Sequence, residues 1–532
     1  MRSTFHGLET AKRGLFAQQT AIQTTSHNIS NANTAGYTRQ MVDFKASSPI
    51  EAPGIMRSTA PGQLGTGVDF SDIRRIREQF LDDQFRNQNK SYGDWTVRQD
   101  TLEKLEAVIN EPSEYGVRKV VDEFWNAWHD LAGQPDNLTA RSVVMERAGS
   151  MADAFNDVAT KLNDLNRDLT ESVSIKVDEI NSLTRQIASL NQEIFRVEGL
   201  GDHANDLRDQ RDLLTDHLSK LVNITVREER NGYRITAGNT EIVAYNQATA
   251  LDANGLDLST AAGLGINSGE LYGYLKSRDE FVKDFQKQID QMVNGLVNGE
   301  FQITLPAGTV LPEGTSFTLT DGSTQTFTGD RTQRTLTSDL QVTVNGINGL
   351  HKLGYTLEEP LQSGMDFFVS RDGGPITASN IQINPLIGQD ARKIAASTNT
   401  YEIKNPDNTT TEKVMKGNNQ LALWIGQLRS TSITFDSNST TVQGIGTFDE
   451  YFRSMIGRLG VKGQEATRQL ENQKVLVEQV DGRRQSVSGV SLDEEMANLI
   501  KFQHAYNASA RMVTTIDQVL DKIINGMGVV GR

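Results

Sequence analysis

The chain has 532 residues, 53 Lys+Arg against 68 Asp+Glu for a net charge of -15, and no cysteine. The length provides for several domains with ample cores. The acidic balance, against which no basic cluster stands out, makes nucleic acid and anionic membrane poor partners. The missing cysteines remove disulfides, thiolate catalysis and Cys-held metals.

A first helix is expected from about Phe5 to Asn33, with Leu8, Leu15, Ile22 and Ile29 at strict seven-residue spacing. The turn formers Asn31-Ala32-Asn33-Thr34-Ala35-Gly36-Tyr37 end it. From Gln40 to about Asp72 the text is punctuated by Pro and Gly and reads as extended. A helix carrying Ile73, Ile76, Phe80, Leu102 and Leu105 follows, stopped by Pro112. A shorter one carries Val117, Val121, Phe124, Trp128 and Leu131.

The longest regular stretch runs from Val144 to Val197 in three-four spacing, with one lapse at Lys176, and Gly199 and Gly201 close it. At ~1.5 Å per residue it is a rod of roughly 80 Å, expected in an elongated bundle. After a helix around Leu207, Leu214 and Leu221 the period changes to two. Ile224 and Val226 precede Asn231-Gly232, a type I′ hairpin signal, and Tyr233 and Ile235 resume the alternation. A further helix carries Leu271, Leu275, Val282, Phe285, Ile289 and Leu296.

Residues 301–397 are rich in Thr, Ser, Gly and Asp, with short alternating runs at Phe317–Leu319, Val342–Val344 and Ile381–Ile383. That is the pattern of a small inserted β domain. Helical patterning returns near Asn418 and from Phe448 to about Val480. The last helix has Ser491 as N-cap, with Glu494 placed for a capping box. Along it Leu499, Phe502, Tyr506, Ser509, Val513, Ile516, Leu520, Ile523 and Met527 alternate three and four apart.

The expected fold is therefore mainly α with a β-rich insert. Residues 1–40 and 489–532 form a terminal coiled coil, 41–300 and 398–488 an elongated helical bundle with a small β-hairpin, and 301–397 an outer β domain. A three-four alternation keeps one narrow seam facing a partner helix. That partner is either the other end of the chain or a neighbouring subunit, and a seam at the termini points to assembly rather than catalysis.

Chemistry is hard to find. Of the histidines His6, His27, His129, His203, His217, His351 and His504, none has a second ligand at metal spacing. There is no phosphate-binding glycine loop and no nucleophile elbow. Asp82-Asp83 and Glu494-Glu495 read as solvated or helix-opening charge. No catalytic, cofactor or metal residue is assigned, and the chain is not expected to be an enzyme.

A resemblance lies at the two ends. Ser26-His27-Asn28-Ile29-Ser30-Asn31-Ala32-Asn33-Thr34-Ala35-Gly36-Tyr37 resembles the N-terminal signature of bacterial flagellar rod, hook and hook-associated proteins. Thr38-Arg39-Gln40, together with Gly489–Ile500 (Leu492, Asp493, Glu494, Glu495 and Asn498 within it) and Gln503–Arg511, is similar to the hook-associated branch more than to rod or hook. Gly269-Glu270-Leu271, Lys276–Asp279 and Lys416–Gln420 add internal matches, although Gly417-Asn418-Asn419 stands where the family often has Gly-Asp-Asn. Residues 301–397 carry none of the residues of this resemblance.

The resemblance implies an extracellular structural subunit at the hook–filament junction, exported unfolded by the flagellar type III route. That route would account for an opening, Met1-Arg2-Ser3-Thr4-Phe5-His6, without the apolar core of a secretory signal. The implied partners are copies of the chain in a ring, hook protein, a second hook-associated protein and an export chaperone on the C-terminal helix. The rival readings are another flagellar axial protein, a cytoplasmic coiled-coil adaptor and, more remotely, an enzyme with a grafted activity.

Overall fold

A computed structural model describes residues 5–49, 65–109, 116–318, 324–406, 409–435 and 444–526. Pro112, Leu319 and Met527 lie outside the described residues. The chain forms two compact units: Met1–Thr96, Val173–Gly273 and Gln469–Arg532 in the first, Val97–Ser172 and Tyr274–Arg468 in the second. No helix among the described residues is long and apolar enough to cross a membrane.

In chain order the main elements of the first half are α1 (His6–Ser30), β1 (Gln40–Ala46), β2 (Val68–Arg75), α2 (Gln79–Ile109), α3 (Val117–Gly133), α4 (Leu138–Glu198) and α5 (Asn205–Leu221). Strands β3 (Ile224–Glu229), β4 (Gly232–Ala237), β5 (Thr240–Ala244) and β6 (Gln247–Ala248) follow. The chain ends in a penultimate helix, Phe448–Ser488, and a terminal helix, Leu492–Asp521.

In the first unit β1 and β2 pair antiparallel, Val42 opposite Ile73 and Phe44 opposite Phe70. Ile73 thus sits in a strand rather than on the helix expected for it. Its β-branched side chain has a cross-strand partner, and the pairing persists to Ile76, whose N–H donates to the Arg39 carbonyl at 2.9 Å. Strands β3 to β6 form one antiparallel sheet in sequence order. The first hairpin closes one residue earlier than expected. Gly232 already pairs with Glu229, and Gly232 rather than Asn231 takes the positive φ, +121°, so the loop is Arg230-Asn231 and not a type I′ turn at Asn231-Gly232.

Helix α4 is 61 residues long, about 90 Å at 1.5 Å per residue. The lapse at Lys176 is bridged by Val177, which is buried and continues the stripe from Val173 to Ile180. Lys176 itself turns outward to ion pairs with Glu179 and Glu270, at 3.0 and 2.9 Å.

The second unit has a dense aromatic core. Phe124 and Trp128 of α3 pack against Phe367 and Phe368, with ring centroids 5.4 Å apart for Trp128–Phe367 and 5.9 Å for Phe124–Phe368. His351 lies in the same core, its Nε2 accepting from the Ala395 N–H at 2.8 Å. Its strands are short antiparallel pairs: Glu300–Leu305 with Leu340–Asn345, Thr315–Thr318 with Thr324–Phe327, and Phe368–Ser370 with Ile381–Ile383. Thr400–Lys404 with Thr410–Val414 and Ile433–Thr434 with Ile445–Gly446 are paired in the same way.

Candidate assembly site at the terminal helices

Helix α1 and the terminal helix lie antiparallel. A Cβ on Gly7 would stand 3.2 Å from Ile516 Cδ1, and one on Gly14 would stand 3.1 Å from Ser509 Oγ. Asn28 Nδ2 donates to Glu495 Oε2 at 2.9 Å. Steps of seven along α1 match steps of seven in the opposite direction along its partner, so one heptad register runs through the pair. On α1 the contact is made by small residues, which let the two backbones approach. Ala11, Ala17 and Ala21 are buried there with Thr24, Thr25 and Asn28.

The structure places the large side chains of α1 beside this contact, whereas Ile516 of the terminal helix packs over Gly7. Leu8, Leu15, Ile22 and Ile29 lie one position past Gly7, Gly14, Ala21 and Asn28, and each is only partly buried. On the terminal helix Leu499, Phe502, Tyr506, Val513, Ile516 and Leu520 are partly buried, whereas Ile523, in the turn just past its end, is exposed. The one residue of this helix that is fully buried is a carboxylate, Glu495, at 2 % exposure. Leu492, Met496 and Ile500 are about half exposed, at 50, 50 and 51 %, and Met512, Val519 and Ile524 are exposed elsewhere along the C-terminal segment.

Several signature residues converge at the base of the pair. The Asn28 amide uses every donor and acceptor it has. Nδ2 donates to Gln40 O and Glu495, and Oδ1 accepts from Tyr37 O–H and Gln40 N–H. Arg39 donates to Glu494 at 2.7 Å and to Glu495 at 2.8 Å. Burial, with Asp206, Asp209 and Glu495 nearby, pushes the Tyr37 phenol above its ordinary pKa, so it stays a donor. Asn31 caps α1, its N–H donating to His27 O and its Nδ2 to the same carbonyl. Gly36 takes φ +79° to turn the chain into Tyr37, a conformation that glycine adopts freely. Ser30 bonds back to Ser26 O.

Asn33 and Asp493 are exposed, and Asn498 is partly buried, outside this cluster. Ser491 N-caps the terminal helix, but the Glu494 carboxylate goes to Arg39 instead of completing a capping box. His203 pairs with Asp72 at 3.1 Å, and His217 faces solvent.

Behind this base stands an ion network that sequence reasoning missed. The Thr38 N–H donates to Asp209 Oδ2 at 2.8 Å. Arg75 bridges Asp209 and Asp212 at 2.6 and 2.9 Å. Arg77 pairs with Asp82 at 2.7 Å, Arg86 with Asp216 at 2.9 Å, and Arg484 of the penultimate helix also reaches Asp216. Burial raises the Asp212 carboxyl, but the guanidiniums of Arg77, Arg75, Arg211 and Arg86 outweigh it and hold the group well below the usual carboxylate range. Asp209 has fewer cations against it, and there burial wins and pushes the pKa up. A local signal existed: Asp209, Asp212 and Asp216 share one face of α5 at helical spacing, and Arg74-Arg75-Ile76-Arg77 is a basic run.

A family model described as the Flagellar hook-associated protein FlgK helical domain matches residues 102–300. Models described as Flagellar basal body rod FlgEFG protein C-terminal and Flagella basal body rod protein match 483–526 and 8–38. The chain is 34% identical to Flagellar hook-associated protein 1 of Bacillus subtilis, over 100% of both chains. It is 24% identical to the Escherichia coli protein of the same name, over 97% of this chain and 99% of that one. The solved flagellar hook junction protein FlgK from Burkholderia pseudomallei matches with a TM-score of 0.51 and 14% identity, over 76% of this chain and 100% of that chain. At that identity the likeness is one of fold.

Proposed function

Since the chain belongs to the flagellar hook-associated protein 1 family, structural components of the bacterial flagellum and not enzymes, we propose that it is the subunit that joins filament to hook. Its terminal helix pair is the assembly surface. The observation that carries this is the apolar stripe left uncovered beside the α1 contact, Leu492, Met496 and Ile500 at four-residue spacing. Contiguous exposed apolar surface of this kind marks an interaction site.

In this reading copies of the chain form a ring, with hook protein on one side and a second hook-associated protein on the other. Residues 1–40 and 489–532 line the inside, 41–300 and 398–488 form the next layer, and 301–397 faces outward. The chain travels unfolded through the flagellar type III channel to the extracellular tip, and a cytoplasmic chaperone covers the C-terminal helix before export. Freedom from cysteine suits such a route, because refolding needs no oxidation.

A strain lacking the protein is expected to build hooks, shed flagellin into the medium and bear no filaments. Normal filaments on that strain overturn the proposal.

A further inference from the structure

The join between the penultimate and terminal helices is three residues long, Gly489-Val490-Ser491. A short link containing glycine leaves the angle between two helices free unless something else sets it. One residue outside both helices holds both sides of the join. The Arg39 N–H donates to the carbonyl of Ser488, the last residue of the penultimate helix, at 2.9 Å. Its guanidinium reaches across to Glu494 and Glu495, in the first turn of the terminal helix.

Arg39 is itself held in place. Its carbonyl accepts from Ile76 N–H, and its neighbour Gln40 is bonded through both N–H and C=O to the Asn28 amide. The penultimate helix is anchored separately just before the join, through Arg484 to Asp216 and Asp82. A planar fork with fixed donors suits this task where a flexible ammonium does not.

We infer that Arg39 is a positioning residue, a strut across the join that fixes the angle between the penultimate and terminal helices. Every copy then presents its terminal pair in the same direction. A ring or an axial tube requires that uniformity, because small angular errors do not cancel around a closed interface.

The chain contains no cysteine, so spin labels can be placed on Lys474→Cys and Asn507→Cys, exposed positions on either side of the join. Pulsed electron spin resonance on the purified chain then reads the distance distribution between the helices. The parent is expected to give one narrow peak. Arg39→Ala, which keeps the N–H but loses the fork, is expected to broaden or split it, and Arg39→Lys to fall between. An engineered Gly14→Cys/Ser509→Cys disulfide, formed in parent and variants alike, verifies that the helix pair itself survives. A broad distribution in the parent, or an Arg39→Ala peak as narrow as the parent's, overturns the inference. If Arg39→Ala loses the disulfide, Arg39→Lys decides: a parental peak overturns the inference and a broadened one supports it. The measurement is made on the monomer, so it can fail while the assembly reading stands, and the reverse.

Discussion

Two helices of this chain spend their apolar side chains in opposite ways. Helix α3, 17 residues, buries Val117, Val121, Phe124, Trp125, Ala127, Trp128, Leu131 and Ala132 within its own unit. The terminal helix, 30 residues, fully buries Glu495 alone and leaves Leu492, Met496, Ile500, Met512 and Val519 about half exposed. Both are amphipathic in sequence. One belongs to a finished core, and the other has a partner on only part of its apolar arc. Apolar periodicity therefore reports that a face will be covered, not by what. The distinction becomes visible only when the neighbour on each side is known.

The largest effect expected from this contrast is all-or-none. Ile500→Asp places a carboxylate on the uncovered face, where assembly would bury it unpaired at a cost of several kcal/mol in each subunit. The variant is expected to be exported, to keep its thermal unfolding transition and to yield no filaments. Gln518→Glu, at an exposed polar position off the Leu492–Met496–Ile500 stripe, is expected to assemble. Filaments on Ile500→Asp cells at parental number would remove the contrast.

Next in size, Phe124→Ala opens a cavity in the aromatic core and is expected to destabilise the second unit by about 3–5 kcal/mol. Urea unfolding followed by tryptophan fluorescence measures it, since Trp125 and Trp128 are buried beside the site. Met496→Ala in the same assay should shift the midpoint negligibly.

The third effect is on pH dependence. Burial lowers the His351 pKa to about 4 from an ordinary 6.5. The folded state then refuses a proton that the unfolded chain accepts. Stability from this group is complete above pH 6.5 and is lost as pH falls toward 4, by about 3 kcal/mol in all. Denaturant titrations across that range should show the slope in the second unit, and His351→Gln should flatten it.

Smallest is Ser491→Ala. It removes the side-chain acceptor for the Glu494 N–H and is expected to destabilise the terminal helix by about 1 kcal/mol. Amide exchange over its first turn should quicken accordingly, while α3 stays slow.

How much of this could be read before folding depended on whether the signal was local. The three-four stripe of α4 announces a single long helix because helical period is written in neighbouring residues. The strand character of Ile73 was hidden because its partner Val42 is 31 positions away across the antiparallel register. The ion network escaped for the same reason, with Arg75 and Asp209 far apart in sequence and each bland alone. On α1 the contact residues were hard to see for another reason. A search for large apolar side chains finds Leu8, Leu15, Ile22 and Ile29 and passes over Gly7, Gly14 and Ala21, whose smallness permits the close approach.

The Asn28 amide, with both donors and both acceptor sites engaged, has a consequence for how this position can vary. A single-base change in an asparagine codon leads to Asp, His, Ile, Lys, Ser, Thr or Tyr. None of these offers two donors and a doubly accepting oxygen in one short plane. Asp would moreover set a second carboxylate against Glu495, and Gln, the sole chemical equivalent, is one methylene too long and two mutational steps distant. The genetic code thus isolates this residue: every single-base change away from it leaves at least one of these four hydrogen bonds unmade.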